Sequence, residues 1–226
     1  MILIFVFFVG LIFLLPLIGV FQEINSSVLL EVIHSPSLIK SLGDTLIMAT
    51  VGSLVSLMLA ILFSRWLALY DWKGKRLFRL SLMIPYLVPN FVLASSYILC
   101  WNPTSGLLRK QLPFLGSFYG MGGTIALFGV AHMPVALLCI EEKLKRIDNS
   151  LREASQMSGA HKIKTFFKID LPLLLPTLIV SFLMGFALNS SSFAIPAWVS
   201  VPEKVYPLTY KIYQSLQAGG FDGIPQ

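Results

Sequence analysis

Apolar runs of about 20 residues, separated by short polar connections, dominate this sequence. As a helix, a run of that length crosses the roughly 30 Å hydrocarbon core of a bilayer. Five runs qualify, at about 1–21, 45–64, 80–101, 121–140 and 171–200. The expected fold class is therefore all-α, a polytopic transmembrane helical bundle of five spans, with residues 1–226 as a single domain. The connections are too short for a separate globular domain. Composition agrees, because 56% of residues are hydrophobic and 12% charged, against roughly 25% charged in soluble proteins. A net charge of +6 is no sign of nucleic acid, since the basic residues sit between apolar spans rather than on one soluble face.

Positions of the basic residues predict orientation. Arg65, Lys73, Lys75, Arg76 and Arg79 follow the second span, and Lys143, Lys145, Arg146, Arg152, Lys162, Lys164 and Lys168 follow the fourth, twelve of the 17 basic residues in all. The remaining segments hold Lys40, then Arg109 and Lys110, then Lys204 and Lys211. By the positive-inside rule the two rich loops are cytoplasmic, which puts the N-terminus inside and the tail outside. Met1–Phe21 lacks a basic n-region and a small-x-small cleavage site, so it reads as a retained helix rather than a signal peptide. After Val201 the chain is polar, and its ending looks like a bundle lacking a sixth span. Cys100 and Cys139 fall at opposite ends of successive spans, too far apart for a disulfide.

Several chemistries find no support. No acidic residue lies inside an apolar run, which argues against proton relays built on buried carboxylates. His34, His132 and His161 lie in three different segments, H-E-x-x-H is absent, and no metal ligand set emerges. Gly74-Lys75 is followed by Arg76, with Leu69 where a P-loop needs its first glycine, so this chain holds no nucleotide that way. No Gly-x-Ser-x-Gly elbow occurs. The expectation is a non-enzyme with no catalytic residues, no metal and no cofactor. His132 lies deep in the fourth span, beside Pro134. It is either a functional intramembrane group or a neutral imidazole satisfied within the bundle.

The connection from Glu141 to Asp170 is too long for a plain turn. Within it, Ser150-Leu151-Arg152-Glu153 fits a capping box, with Ser150 as N-cap and Glu153 reaching back to it. A short helix is expected from Leu151 to about Ser158. Gly159 then takes the left-handed position that ends it, and Ile163, Phe166 and Phe167 mark a second helical stretch. Pro172 opens the next span. Taken singly, Glu153, Gly159 and Pro172 are ordinary cap and start residues.

Together, Glu153-Ala154-Ser155, three residues, Gly159, nine residues and Ile169-Asp170-Leu171-Pro172 resemble the EAA loop of binding-protein-dependent ABC transporter permeases, E-A-A-x3-G-x9-I-x-L-P. A chance match of this quality is on the order of one in 10⁵. Ser155 departs from the usual alanine, a small-for-small change. The resemblance covers most of the chain. It implies a permease subunit of a bacterial or archaeal cytoplasmic (inner) membrane importer, with hydrolysis in a separate subunit. Three kinds of partner are implied: a cytoplasmic ABC ATPase dimer, a second permease bundle (homodimer, heterodimer or fused half) and an extracytoplasmic solute-binding protein. Glu153, Ala154, Ser155 and Gly159 would form the coupling lever, while Ile169, Leu171 and Pro172 would anchor it on the bundle. Asn90, Asn189, Ser190, Ser191 and Ser192 are the polar groups available to line a solute path, or equally to pack helices. Phe193-Ala194-Ile195-Pro196 and Leu208-Thr209-Tyr210-Lys211-Ile212-Tyr213 resemble the ferric iron, polyamine and thiamine branch. Other readings are a secondary transporter, which ATP dependence would separate, and a non-transporting permease fragment.

Overall fold

The computed structural model describes residues 10–11, 35–102, 106–108, 111 and 119–219, and no strand occurs among them. The chain divides into two units, residues 41–213 and residues 1–40 with 214–226. Of the second unit, the structure describes a helical pair at residues 10–11, the opening of the first long helix and the end of the last one. The predicted first span otherwise lies outside the described residues.

Helix α1 (Pro36–Leu69) has 34 residues and overruns the predicted span at both ends. Helices α2 (Lys75–Leu87) and α3 (Asn90–Trp101) occupy the predicted third span, but they meet at a 104° bend. The cause is Pro89. Its ring disfavours helical backbone at the preceding residue, and Val88 is extended, with φ −80° and ψ 131°. Pro85, by contrast, is carried inside α2. This segment is thus a broken pair rather than one continuous span. Helix α4 (Gly120–Arg146) continues past the predicted boundary at residue 140.

The supposed 30-residue loop is mostly helix. It consists of the end of α4, helix α5 (Asn149–Met157), helix α6 (Lys162–Thr165) and a π-turn (Phe166–Asp170) that runs without interruption into α7 (Leu171–Ser191). The predicted fifth span also needs correction at its far end. Ser192 is extended and stops α7, and α8 (Ala194–Val199) follows as a separate turn of helix. The tail is not merely polar, since Leu208–Gly219 forms α9. Among the described residues, three helices are long and apolar enough to cross a membrane, or four if the bent pair counts as one span.

Helix α4 is the centre of residues 41–213. About 67% of its most apolar window is buried, compared with 33% for α1 and 17% for the helix running through α7. One core cluster joins Ala60 and Leu67 of α1, Met133, Leu137, Ile140 and Leu144 of α4, and Leu174 and Leu178 of α7. A second joins Met48, Ala94, Phe128, Ile195 and Val199. Outward-facing leucines such as Leu62, Leu80, Leu87 and Leu183 are more than half exposed, as lipid-facing residues are.

Lipid tails are as apolar as leucine, so helices in a bilayer associate through close packing and hydrogen bonds rather than through water exclusion. Gly129 shows the closeness. A Cβ there would stand 2.5 Å from Val55 Cγ1 of α1, and one at Gly52 would stand 2.8 Å from Phe128 Cβ. Gly129→Val is expected to push α1 and α4 apart and cost about 1–3 kcal/mol by overpacking. The midpoint of thermal unfolding in detergent measures this, and an unchanged midpoint would contradict the packing.

Candidate functional site

Three of these helices share a polar pin. Ser53 Oγ of α1 donates to the Ala49 carbonyl at 2.6 Å, which leaves it free to accept from Asn189 Nδ2 of α7 at 2.9 Å. Asn189 Oδ1 then accepts from His132 Nδ1–H of α4 at 2.6 Å. His132 is therefore satisfied inside the bundle, by the side chain of Asn189. Asn189 is 2% exposed and bonds to side chains of α1 and α4. Of its neighbours, Ser190 is half-buried and donates to the Phe186 carbonyl at 2.7 Å. Ser191 is exposed and donates to the Ala187 carbonyl, and Ser192 is buried. Asn90 is half-buried at the start of α3, after the bend.

The two basic loops, far apart in sequence, meet at one end of residues 41–213. Arg79 pairs with Glu141 at 3.1 Å and Lys145 with the same carboxylate at 2.8 Å. Arg152 pairs with Asp170 at 2.8 Å and Arg65 with its other oxygen at 3.5 Å. Glu141 and Asp170 are only 1% and 2% exposed. Sequence reading placed all carboxylates outside the apolar runs and so missed that these two are buried at span ends.

Helix α5 stands at this end. Its N-cap is Asp148, whose carboxylate accepts from the Ser150 N–H at 2.9 Å. This corrects the capping-box expectation, since Ser150 lies inside the helix. That backbone bond holds the Asp148 carboxyl below its ordinary range. The cap is thus fully present at neutral pH and is lost as pH falls through the depressed value. At the other end Ala160 N–H donates to the Ser155 carbonyl and Gly159 N–H to that of Gln156, the paired bonds of a Schellman ending. Gly159 has φ +80°, as the sequence suggests. Among the described residues, nothing beyond its chain neighbours lies within 4 Å of a Cβ built there, so it is the backbone conformation that asks for glycine.

Leu151, Glu153, Ala154 and Met157 are exposed on α5, Ser155 is half-buried and Arg152 is buried. Glu153 lines an open cleft of about 310 Å³ together with Arg65, Tyr70, Arg152, Lys162 and Asp170. Of the expected anchors, Leu171 packs against the core at this end. Ile169 is half-buried, and Pro172 is exposed in the first turn of α7. The polar tie from α5 to the bundle is instead Arg152–Asp170, together with Ser155 Oγ and Thr165 Oγ1 at 3.0 Å. Both charged partners occupy positions beside the fixed motif residues, where the motif gives no signal.

The chain is thus an all-helical membrane domain that carries a capped, exposed helix between two long apolar helices. Residues 57–217 match the family described as binding-protein-dependent transport system inner membrane component, and the chain belongs to that family. It is similar to the molybdate/tungstate transport system permease protein WtpB of Pyrococcus abyssi, with 27% identity over 76% of this chain and 66% of that protein. It is also similar to the probable sulfate transport system permease protein cysT of Prototheca wickerhamii, 24% identical over 92% of this chain and 84% of that one. The maltose/maltodextrin permease MalF of Escherichia coli is 30% identical over 64% of this chain and 31% of its own length. The chain thus spans slightly under two thirds of the archaeal relative and under a third of MalF. These three come from oxyanion and maltodextrin systems, not from the ferric iron, polyamine and thiamine branch that the tail resembles. The fold is shared with a chain of a bacterial alginate ABC transporter solved in complex with an alginate pentasaccharide-bound periplasmic protein. The TM-score is 0.77 at 18% identity, covering 98% of this chain and 84% of that one.

Proposed function

We propose that this chain forms the solute pathway of a binding-protein-dependent ABC importer and couples it to a separate cytoplasmic ATPase dimer through helix α5. It works with a second permease bundle and an extracytoplasmic solute-binding protein. The basic end of residues 41–213 faces the cytoplasm, with α5 seated on the ATPase through Leu151, Glu153, Ala154 and Met157. Ser155 and Gly159 shape the lever, and Ile169, Leu171 and Pro172 continue it into the bundle. Asn90, Ser190 and Ser191 line the solute path, with Asn189 and Ser192 behind them.

The observation that carries this reading is a short helix capped at both ends and ion-paired to a membrane helix while its apolar residues Leu151 (46%) and Met157 (89%) remain exposed. Exposed apolar side chains on a rigid, charged end suit a protein partner. Deleting residues 151–159 is expected to remove the ATPase that co-purifies with the wild-type permease in detergent. An ATPase retained by the deletion variant would move the docking site elsewhere.

A further inference from the structure

Helix α5 has nine residues and is joined to its neighbours by short links, Ile147–Asp148 before it and Ser158–His161 after it. Backbone links alone would let such an element pivot. A lever that pivots cannot move a bundle, so something must fix its angle.

We propose that Arg152, Asp170 and Arg65 form a joint that locks α5 to the membrane helices, with Arg152 as its positioning residue. The proposal rests on the coupling role assigned to α5 above. The guanidinium of Arg152 reaches three segments at once. Its Nε donates to Asp170 Oδ1 at 2.8 Å, its Nη1 to Asn149 Oδ1 at 2.7 Å and its Nη2 to the Leu144 carbonyl at 3.3 Å. Those partners belong respectively to the π-turn entering α7, to α5 itself and to the last turns of α4. The second oxygen of Asp170 faces Arg65 of α1, whose guanidinium lies 4.0 Å from the Phe166 ring centroid. One side chain on the lever therefore touches both flanking helices, and its counterion extends the contact to a third.

The π-turn serves the same end. Its wider turn shifts the register of the helix at the point where Asp170 must face inward, and Asp170 alone among its five residues is buried. A buried ion pair adds little net stability over well-packed apolar residues, yet it is satisfied in only one geometry. That suits a joint better than a staple. The planar fork of arginine supplies three directed donors, whereas lysine is a point charge on a flexible stem. Among the described residues, the other buried carboxylate, Glu141, is held by Arg79 and Lys145, on α2 and α4. It does not bond to α5 and serves as an internal control.

The test is pulsed spin-resonance distance measurement between labels at Ser158→Cys, the C-cap of α5, and Leu183→Cys on α7, both exposed, with Cys100 and Cys139 replaced by serine. Arg152→Lys is preferred to Asp170→Ala because it keeps the buried charge paired. In the wild-type background a single narrow distance is expected, unchanged when the bound ATPase is trapped with ADP and vanadate. Arg152→Lys should lose the narrow maximum and shift on trapping, while Arg79→Lys should keep it. A narrow, unshifted distance in Arg152→Lys, or equal broadening in Arg79→Lys, would overturn the joint. If no ATPase binds even the wild type, the coupling role of α5 fails, and the permease-alone distances still decide whether the joint is rigid.

Discussion

Replacing Asp170 with alanine is expected to lower stability by about 3–5 kcal/mol, the usual cost of stranding a buried charge. Arg152 would keep its guanidinium with only 10% of the side chain exposed, whereas Arg65, at 26%, has a way out to water. Most of the penalty therefore falls on Arg152. For a chain of this size the midpoint of thermal unfolding should drop by roughly 10 °C or more. The double variant Arg152→Met with Asp170→Leu should recover most of the loss, because it removes the charge together with its partner. A single variant that melts within about 2 °C of wild type would show that the pair is not buried as described.

Substitutions at Gly159 should graduate with the backbone rather than with size. At φ +80° a residue with a Cβ is strained, by roughly 1–2 kcal/mol, and the open space around this position means that no clash adds to the strain. Gly159→Val should be worst, Gly159→Asp intermediate and Gly159→Asn mildest, since Asn and Asp tolerate the left-handed region best. If the strain is relieved by unwinding the end of α5, the valine variant should bind the ATPase about tenfold more weakly, the equivalent of 1.4 kcal/mol. Binding titrations with the purified ATPase give the ranking. Equal affinity for all three variants would show that the helix ending does not matter to docking. An asparagine variant as weak as valine would point to crowding by the partner instead.

Much of this was legible because each signal was local. Apolar runs located α1, α4 and α7, since a helix crossing lipid must satisfy its own backbone and carries that requirement in one stretch of sequence. Gly159 marked the end of α5, whereas the 104° break at Pro89 went unread, because 80–101 is largely apolar and reads as one span. The motif spacing located the lever. Where local signals competed, the reading slipped. Asp148 and Ser150 are both good N-caps, and the choice between them depended on where α4 stopped. The segment 141–170 read as a loop because its charges hid the continuation of α4 and the start of α7.

What the sequence determined by itself, then, was the solvent, three of the membrane helices and the family, because hydropathy and motif spacing depend only on neighbours along the chain. Tertiary structure alone decided which polar groups meet. Arg152 and Asp170 are 18 residues apart, Arg65 and Asp170 are 105 apart, and His132 and Asn189 are 57 apart. A charged or amide side chain near a span end is equally compatible with water, lipid headgroups or a partner. Only the packing of α1, α4 and α7 buried Asp170 between two arginines and joined Asn189 to His132 and Ser53.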